Sequence, residues 1–342
     1  MRAAILHGKE DLRLEEVERP RPAPGEVVVR VRAATTCGTD LKVWLRGGHA
    51  RMIQPPAPFG HEFAGEVAEL GEGVTAFATG DRIVANNSVP CGSCFFCRKD
   101  QPNLCEQIAF VNGTYAEYLL LPAAHVSRAA IRIPDGVPFE TASLSEPLAC
   151  VLWGLENTPV TRGDELVILG DGPIGLMFAA EAVLTGATVR VIGGSDSRLA
   201  CARRIGAAET YNYHQQPDTV ALVKKRCNGG RGPDLVVEAT GKSGAWNEAV
   251  DLVRTGGRVN LFGGCPKGTA VSFDTERIHY GQVSLHGVFH NTPETFRRAL
   301  ERLASGGFPV REILSEERPL PELAAAFDRM RRREVVKVVI RP

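Results

Sequence analysis

The chain has 342 residues, with 40 basic and 40 acidic side chains, 44% hydrophobic residues and 23% charged ones. That length exceeds what one hydrophobic core usually serves, so two domains are expected. A neutral chain of ordinary globular composition carries no electrostatic footprint for nucleic acid or an anionic membrane.

The opening segment, "MRAAILHGKEDLRLEEVERP", breaks its apolar run with charge too early for a secretory signal. From residue 1 to residue 150 the chain is rich in Val, Pro and Gly. Runs such as "EVVVRVRAA", "EFAGEVAEL", "DRIVA" and "YAEYLLLP" predict strands between turns, hence a β-rich domain. From Glu165 the rhythm changes. "ELVILG" predicts a buried strand, "PIGLMFAAEAVLTG" a helix closed by Gly186, "TVRVIGG" a strand, and "DSRLACARRIG" a helix ending at Gly206. "DLVVEAT", "GRVNLFGG" and "VSLHGVF" supply further strands. Strand and helix in alternation predict a parallel, doubly wound α/β sheet. The most apolar stretch, Leu166 to Gly194, carries Asp171, Glu181 and Arg190 and does not match a membrane span. After Phe289 come a helix ("PETFRRALERLASGG"), an amphipathic segment ("PELAAAFDRMRRRE") and a last strand ("VVKVVIRP"). The basic run Arg329, Arg331, Arg332 and Arg333 fits a helix C-terminus, where the dipole favours cations.

"LGDGPIG" follows the first strand of the alternating half and opens its helix. Gly170, Gly172 and Gly175 fit G-x-G-x-x-G, with Pro173 and Ile174 between them. The first glycine permits the tight turn, the second lets backbone N–H groups approach a pyrophosphate, and the third brings helix and sheet together. A nicotinamide dinucleotide is the expected ligand. NAD sites usually place Asp or Glu at the end of the second strand to accept from the ribose 2′-OH. Here Gly193 and Gly194 stand in its place. Ser195 and Arg198 could bind a 2′-phosphate, Arg190 less readily, which favours NADP; NAD held by Asp196 is the alternative.

Four of the nine cysteines, Cys91, Cys94, Cys97 and Cys105, fall within "PCGSCFFCRKDQPNLC". Without a secretory signal, clustered cysteines point to a reducing compartment, with cytoplasm as the default, and to a metal rather than disulfides. The C-x₂-C-x₂-C-x₇-C spacing suits a closed tetrathiolate zinc; the ferredoxin pattern requires x₃-C-P after the third cysteine. Three further signals, "CGTDLK" at Cys37, "GHEFAG" at His61 and "SEPLAC" at Glu146, are each bland alone.

Together and in this order, they make the chain resemble the zinc-dependent medium-chain dehydrogenase/reductase superfamily over essentially its whole length. The Cys37-Gly38-Thr39-Asp40, Gly60-His61-Glu62 and Glu146-Pro147-Leu148 set looks closest to the polyol (sorbitol, iditol) and threonine dehydrogenase branch. The resemblance implies a GroES-like catalytic domain at residues 1–150, rejoined by residues 291–342. A Rossmann domain at residues 151–290 would hold the dinucleotide. It implies a catalytic zinc on Cys37 and His61, with Glu62 or Glu146 as third ligand, and a second, structural zinc on the cysteine loop. Thr39 would relay the substrate proton, and Asp40 and the other glutamate would orient the ligands. The implied reaction is oxidation of a polyol, sugar alcohol or related alcohol by a nicotinamide cofactor, in a homo-oligomer, tetrameric or dimeric.

Two positions depart from the pattern. Lys42 replaces the histidine that ends the proton relay in relatives, and His290-Asn291 replaces the Arg-Tyr pair that contacts polyol hydroxyls in sorbitol dehydrogenases. A secondary-alcohol or threonine-type dehydrogenase would keep the metal and change only the pocket. A zinc-free quinone reductase does not account for Cys37, His61 and the thiol loop. A zinc-ribbon module for nucleic acid does not fit the neutral charge.

Overall fold

The computed structural model describes residues 1–48, 52–216 and 218–342. The chain forms two compact units. One comprises Met1–Cys150, Asn291–Val310 and Leu314–Pro342; the other comprises Val151–His290 with Arg311–Ile313.

In the first unit, strand β1 (Val27–Thr35) is followed by helix α1 (Gly38–Arg46), then β2 (Phe63–Leu70), β3 (Arg82–Ala85), β4 (Tyr118–Leu121), β5 (Ala130–Arg132) and helix α2 (Ser145–Asn157), inside which the unit boundary falls. β1 reads VVVRVRAAT; its β-branched residues suit a strand buried in mid-sheet. It pairs antiparallel with β2 and with β4. Helix α1 begins at Cys37, its N-cap, and ends at Gly47 in the left-handed conformation.

The second unit is built on β6 (Glu165–Leu169), α3 (Pro173–Thr185), β7 (Thr188–Gly193), α4 (Asp196–Ile205), β8 (Glu209–Asn212), β9 (Leu235–Glu238), β10 (Arg258–Leu261) and β11 (Ser284–Gly287). The six strands lie in the order β8-β7-β6-β9-β10-β11 and every pairing is parallel. Numbered by sequence this is 3-2-1-4-5-6, the doubly wound dinucleotide-binding order, whose direction reverses beside the first strand. Helix α3 has Pro at its first turn and Gly186 as C-cap, and most of its side chains are buried, as its nearly all-apolar sequence requires. Val167, Val236 and Val259, from three adjacent strands, lie at the centre of this unit's core.

The chain then returns to the first unit as α5 (Pro293–Ala304), β12 (Leu314–Pro319), α6 (Leu323–Arg331) and β13 (Lys337–Arg341). β13 joins the far side of β1, so the main sheet runs β5-β3-β2-β1-β13-β12, with β4 also on β1. Phe327 of α6 packs against Trp44, Phe59 and Tyr115, with ring centroids 5.8, 5.8 and 6.0 Å away. The basic run at the end of α6 is a paired surface: Arg329 meets Glu316 and Glu334, Arg331 meets Glu10 and Asp328, and Arg332 meets Glu334.

Candidate active site

The three adjacent strands β2, β1 and β13 share one end, and the donor residues collect there. Thr35 N–H donates to the Glu62 carbonyl, Thr36 N–H to the Val338 carbonyl, and Val338 N–H to Thr36 Oγ1. Cys37, two residues past β1, is thereby brought beside His61 and Glu62, which immediately precede β2. One donor atom from each of Cys37, His61 and Glu62 lies within 4.8 Å of the other two. Cys37 and Thr39 sit at a helix start rather than on a strand end. The Thr39 N–H donates to Cys37 Sγ at 3.4 Å, and Thr39 is half-buried in the first turn of α1.

Each donor is held by a buried partner. His61 Nδ1 lies 2.8 Å from Asp40 Oδ1, which leaves Nε2 as the ring's other nitrogen. Asp40 Oδ2 in turn accepts from Tyr115 Oη at 2.6 Å. Glu62 Oε2 accepts from Lys337 Nζ at 2.5 Å and from Thr35 Oγ1. Its other oxygen, Oε1, is buried and has no hydrogen-bond partner among the described residues. A buried carboxylate oxygen without a donor is costly unless a cation faces it.

The charges agree with that reading. Burial works against the charged form of His61, but Asp40 and Cys37 outweigh it and raise its pKa well above the usual value. For Lys337, burial is likewise outweighed by Glu62 and Cys37, so its pKa is raised. The thiol, imidazole and carboxylate therefore form a sulfur, nitrogen and oxygen set in a negative environment, which suits zinc.

Glu146 lies in the first turn of α2 and is not one of the three donors grouped within 4.8 Å. Its Oε1 accepts from Asn291 Nδ2 at 3.3 Å and lies 3.7 Å from Cys150 Sγ. Burial pushes its carboxyl up to about 7, with His61 opposing the shift and Glu62 adding to it. Asn291 is itself buried, and its Oδ1 accepts from Asn86 Nδ2 at 2.7 Å. Through its Nδ2 it holds Glu146.

The four sulfurs of Cys91, Cys94, Cys97 and Cys105 also converge within 4.8 Å. Cys91 and Cys97 Sγ lie 4.0 Å apart, and Cys94 and Cys105 Sγ 3.8 Å apart. Sulfurs about 2.3 Å from a tetrahedral zinc have edges of about 3.8 Å, so the spacing fits that ion. Backbone N–H groups of Ser93 and Cys94 donate to Cys91 Sγ at 3.4 and 3.3 Å and lower its thiol pKa to about 6. Burial, followed by the neighbouring Cys94, raises Cys97 to about 12. All nine cysteines are free thiols.

In the second unit, Gly170 ends β6 at φ 123° and Gly172 caps α3, with Pro173 in its first turn. A Cβ on Gly175 would stand 2.0 Å from the Gly170 carbonyl oxygen, so only glycine lets the helix come this close. Ser195 caps α4, and its Oγ lies 3.0 Å from Ser197 Oγ. Arg198 is buried on α4. Arg190 is engaged at the opposite end of its strand by Glu165, the Arg226 carbonyl and Cys227 Sγ. Asp196 receives Asn212 Nδ2 on one oxygen at 2.7 Å and Gln215 Nε2 on the other at 2.9 Å.

Comparison with known proteins places both halves. The alcohol dehydrogenase GroES-like domain matches residues 23–135, and the zinc-binding dehydrogenase domain matches residues 173–305. The L-threonine 3-dehydrogenase of Xanthomonas axonopodis pv. citri is 32% identical over 96% of this chain and 95% of its own length. The sorbitol dehydrogenase of Bacillus subtilis is 30% identical over 100% and 97%. The chain belongs to the zinc-binding dehydrogenase family. Among solved structures, a protein from Sinorhizobium meliloti 1021 described as a zinc-binding dehydrogenase, bound to NADP, superposes with a TM-score of 0.91. It is 29% identical and covers 100% of this chain and 99% of that one.

As a zinc-binding dehydrogenase, the protein is an oxidoreductase that works on alcohols with a nicotinamide cofactor. The residues that sequence reasoning missed are Lys337, Tyr115 and Thr35, which support the donors in the first unit, and Asp171 in the second, whose Oδ2 accepts the Gly194 and Ser195 N–H groups. Lys337 had a visible signal, a lone charge within the apolar run VVKVVI. Thr35 and Tyr115 had none.

Proposed function

We propose that the protein oxidises a hydroxyl of a polyol, sugar alcohol or related alcohol, and reduces the corresponding carbonyl, with two zinc ions per chain. The observation that carries this is the buried Glu62 Oε1 beside Cys37 and His61, which has no hydrogen-bond partner among the described residues. Cys37, His61 and Glu62 would hold the catalytic ion, and the four loop cysteines the structural one. Bound zinc would supply the Lewis acidity that makes a substrate hydroxyl acidic near neutral pH, and the nicotinamide would supply the hydride acceptor. Asp40, backed by Tyr115, keeps His61 in one orientation and one tautomer. Lys337 holds Glu62 by its second oxygen. The Thr39 hydroxyl would relay the substrate proton, accepting it while releasing its own toward solvent. Lys42, three residues further along α1 and exposed, marks the solvent end of that helix face. Glu146, held by Asn291, stands by as a second carboxylate of the site. Gly170, Gly172, Pro173, Ile174 and Gly175 form the cradle for the pyrophosphate, with the N-terminus of α3 facing it.

The substrate reading rests on the sorbitol dehydrogenase relative; a threonine-type activity is the second reading, supported by the threonine dehydrogenase relative. A homo-oligomer is proposed because β11 pairs only with β10 and leaves a sheet edge, with the large exposed residues Tyr280 and Phe289 near it in sequence. Cytoplasmic residence is proposed from the nine free thiols. Among the described residues no helix is long and apolar enough to cross a membrane.

The test is metal analysis and a substrate panel on zinc-loaded protein. About two zinc ions per chain are expected. Cys37→Ala or His61→Ala should lose one of them together with turnover, and polyols should be oxidised faster than threonine. Full turnover by either variant would end the proposal. A monomeric mass by light scattering would end the oligomer reading.

A further inference from the structure

The end of β7 decides which nicotinamide cofactor the second unit accepts. At the position where an acid usually reads the ribose 2′-OH, this chain has Gly193 and Gly194. The missing side chain is not empty space. Asp171, the second residue of the glycine loop, leans over from the end of β6, and its Oδ2 accepts the N–H groups of Gly194 and Ser195 at 2.9 and 2.8 Å. A Cβ on Gly193 would stand 2.5 Å from both Asp171 Cβ and Asp171 Oδ2. The loop carboxylate therefore fills the volume where a side chain at position 193 would start. Glycine at 193 is a consequence of that carboxylate and gives no sign of a 2′-phosphate pocket.

The N–H groups of Gly194 and Ser195, at the start of α4, are the natural donors for a phosphate at this place. Both are already held by a negative charge, so a 2′-phosphate would lose its donors and face a like charge. Asp171 Oδ1, by contrast, accepts no hydrogen bond among the described residues and remains an acceptor of the kind a ribose hydroxyl needs. Two other candidates read from the sequence are engaged elsewhere: Asp196 by Asn212 and Gln215, and Arg190 by Glu165.

From this arrangement we infer that Asp171 is the cofactor-specificity residue: it supplies from the glycine loop the acid that β7 lacks, and it selects NAD(H) against NADP(H). This reverses the preference suggested by Gly193, Ser195 and Arg198 in the sequence. It rests on the dehydrogenase reading of the chain and adds which dinucleotide the site takes.

The experiment measures binding of NAD⁺, NADP⁺, ADP and 2′,5′-ADP by calorimetry, and kcat/KM with both cofactors, for the zinc-loaded wild type, Asp171→Asn and Asp171→Ala. Asparagine keeps an oxygen for the two N–H groups and removes only the charge, so its fold should be intact; circular dichroism checks this. The wild type should bind NAD⁺ over NADP⁺, and ADP over 2′,5′-ADP, by about a hundredfold, the effect of a like charge in contact. Asp171→Asn should cut both ratios by about tenfold or more, chiefly through tighter binding of the 2′-phosphorylated ligands. Wild-type preference for NADP⁺ and 2′,5′-ADP, or unchanged ratios in Asp171→Asn, would overturn the inference while leaving the dehydrogenase reading intact. Failure to bind either dinucleotide would overturn both.

Discussion

The buried pair between Lys337 and Glu62 offers the most discriminating test of the active-site reading. Their side chains are 1% and 0% exposed, and Nζ lies 2.5 Å from Oε2. Lys337 also donates to the Thr36 carbonyl at 2.6 Å. Replacing Lys337 with methionine keeps much of the stem's volume and removes the charge. It leaves Glu62 buried with only the Thr35 hydroxyl for support. Breaking one side of such a pair costs about 3–5 kcal/mol. That is the expected loss for Lys337→Met in chelator-treated protein, measured as the shift of the denaturant midpoint at unchanged slope. Zinc on Cys37, His61 and Glu62 would supply the positive charge the variant lacks. The gap between wild type and variant should therefore shrink when both are zinc-loaded. The double variant Lys337→Met/Glu62→Gln should recover much of the loss, because no uncompensated charge remains. A loss below about 1 kcal/mol would show that the pair is not the charge balance described. A gap of equal size with and without zinc would refute the claim that the cation faces Glu62.

Three further outcomes are expected. Asp40→Asn should weaken catalytic zinc binding by about 10–100-fold, because His61 Nδ1 and the Tyr115 hydroxyl lose their shared carboxylate; competition with a chromophoric chelator measures it, and wild-type affinity would count against the Asp40 role. Cys94→Ser should release the structural zinc and expose the loop between Cys91 and Cys105 to proteolysis, while the ion on Cys37 and His61 is retained; metal content and limited digestion report both. Asp234→Ala should cost about 1–3 kcal/mol near neutral pH, since the carboxylate accepts from Glu165 N–H, Arg254 Nε and Asn228 Nδ2. Burial raises the Asp234 pKa, but these donors outweigh it and hold it below the usual value. Its stabilisation is therefore complete above the unfolded value of about 3.9 and fades as the pH falls through the folded one, so wild type and variant should converge in acid.

Features that depend on spacing and residue type were legible in the chain. The alternating half follows from apolar runs of strand length broken by glycine-closed helices, and the dinucleotide cradle from three glycines placed between a strand and a helix. The thiol lobe followed from four cysteines within sixteen positions, because a loop that short leaves its sulfurs little room to be apart. Tertiary structure alone decided the rest. Cys37, His61, Glu62 and Lys337 meet because β2, β1 and β13 are neighbours, and β13 comes from the far end of the chain; Lys337 and Glu62 are 275 residues apart. That pairing brings a Glu62 oxygen within 4.8 Å of the Cys37 and His61 donor atoms, a meeting the motifs alone do not show. Likewise, Gly193 reads as open space in the sequence, whereas in the fold the Asp171 carboxylate lies against it. A motif records which residues a segment contributes. Which charge stands opposite another is settled only when strands distant in sequence lie side by side.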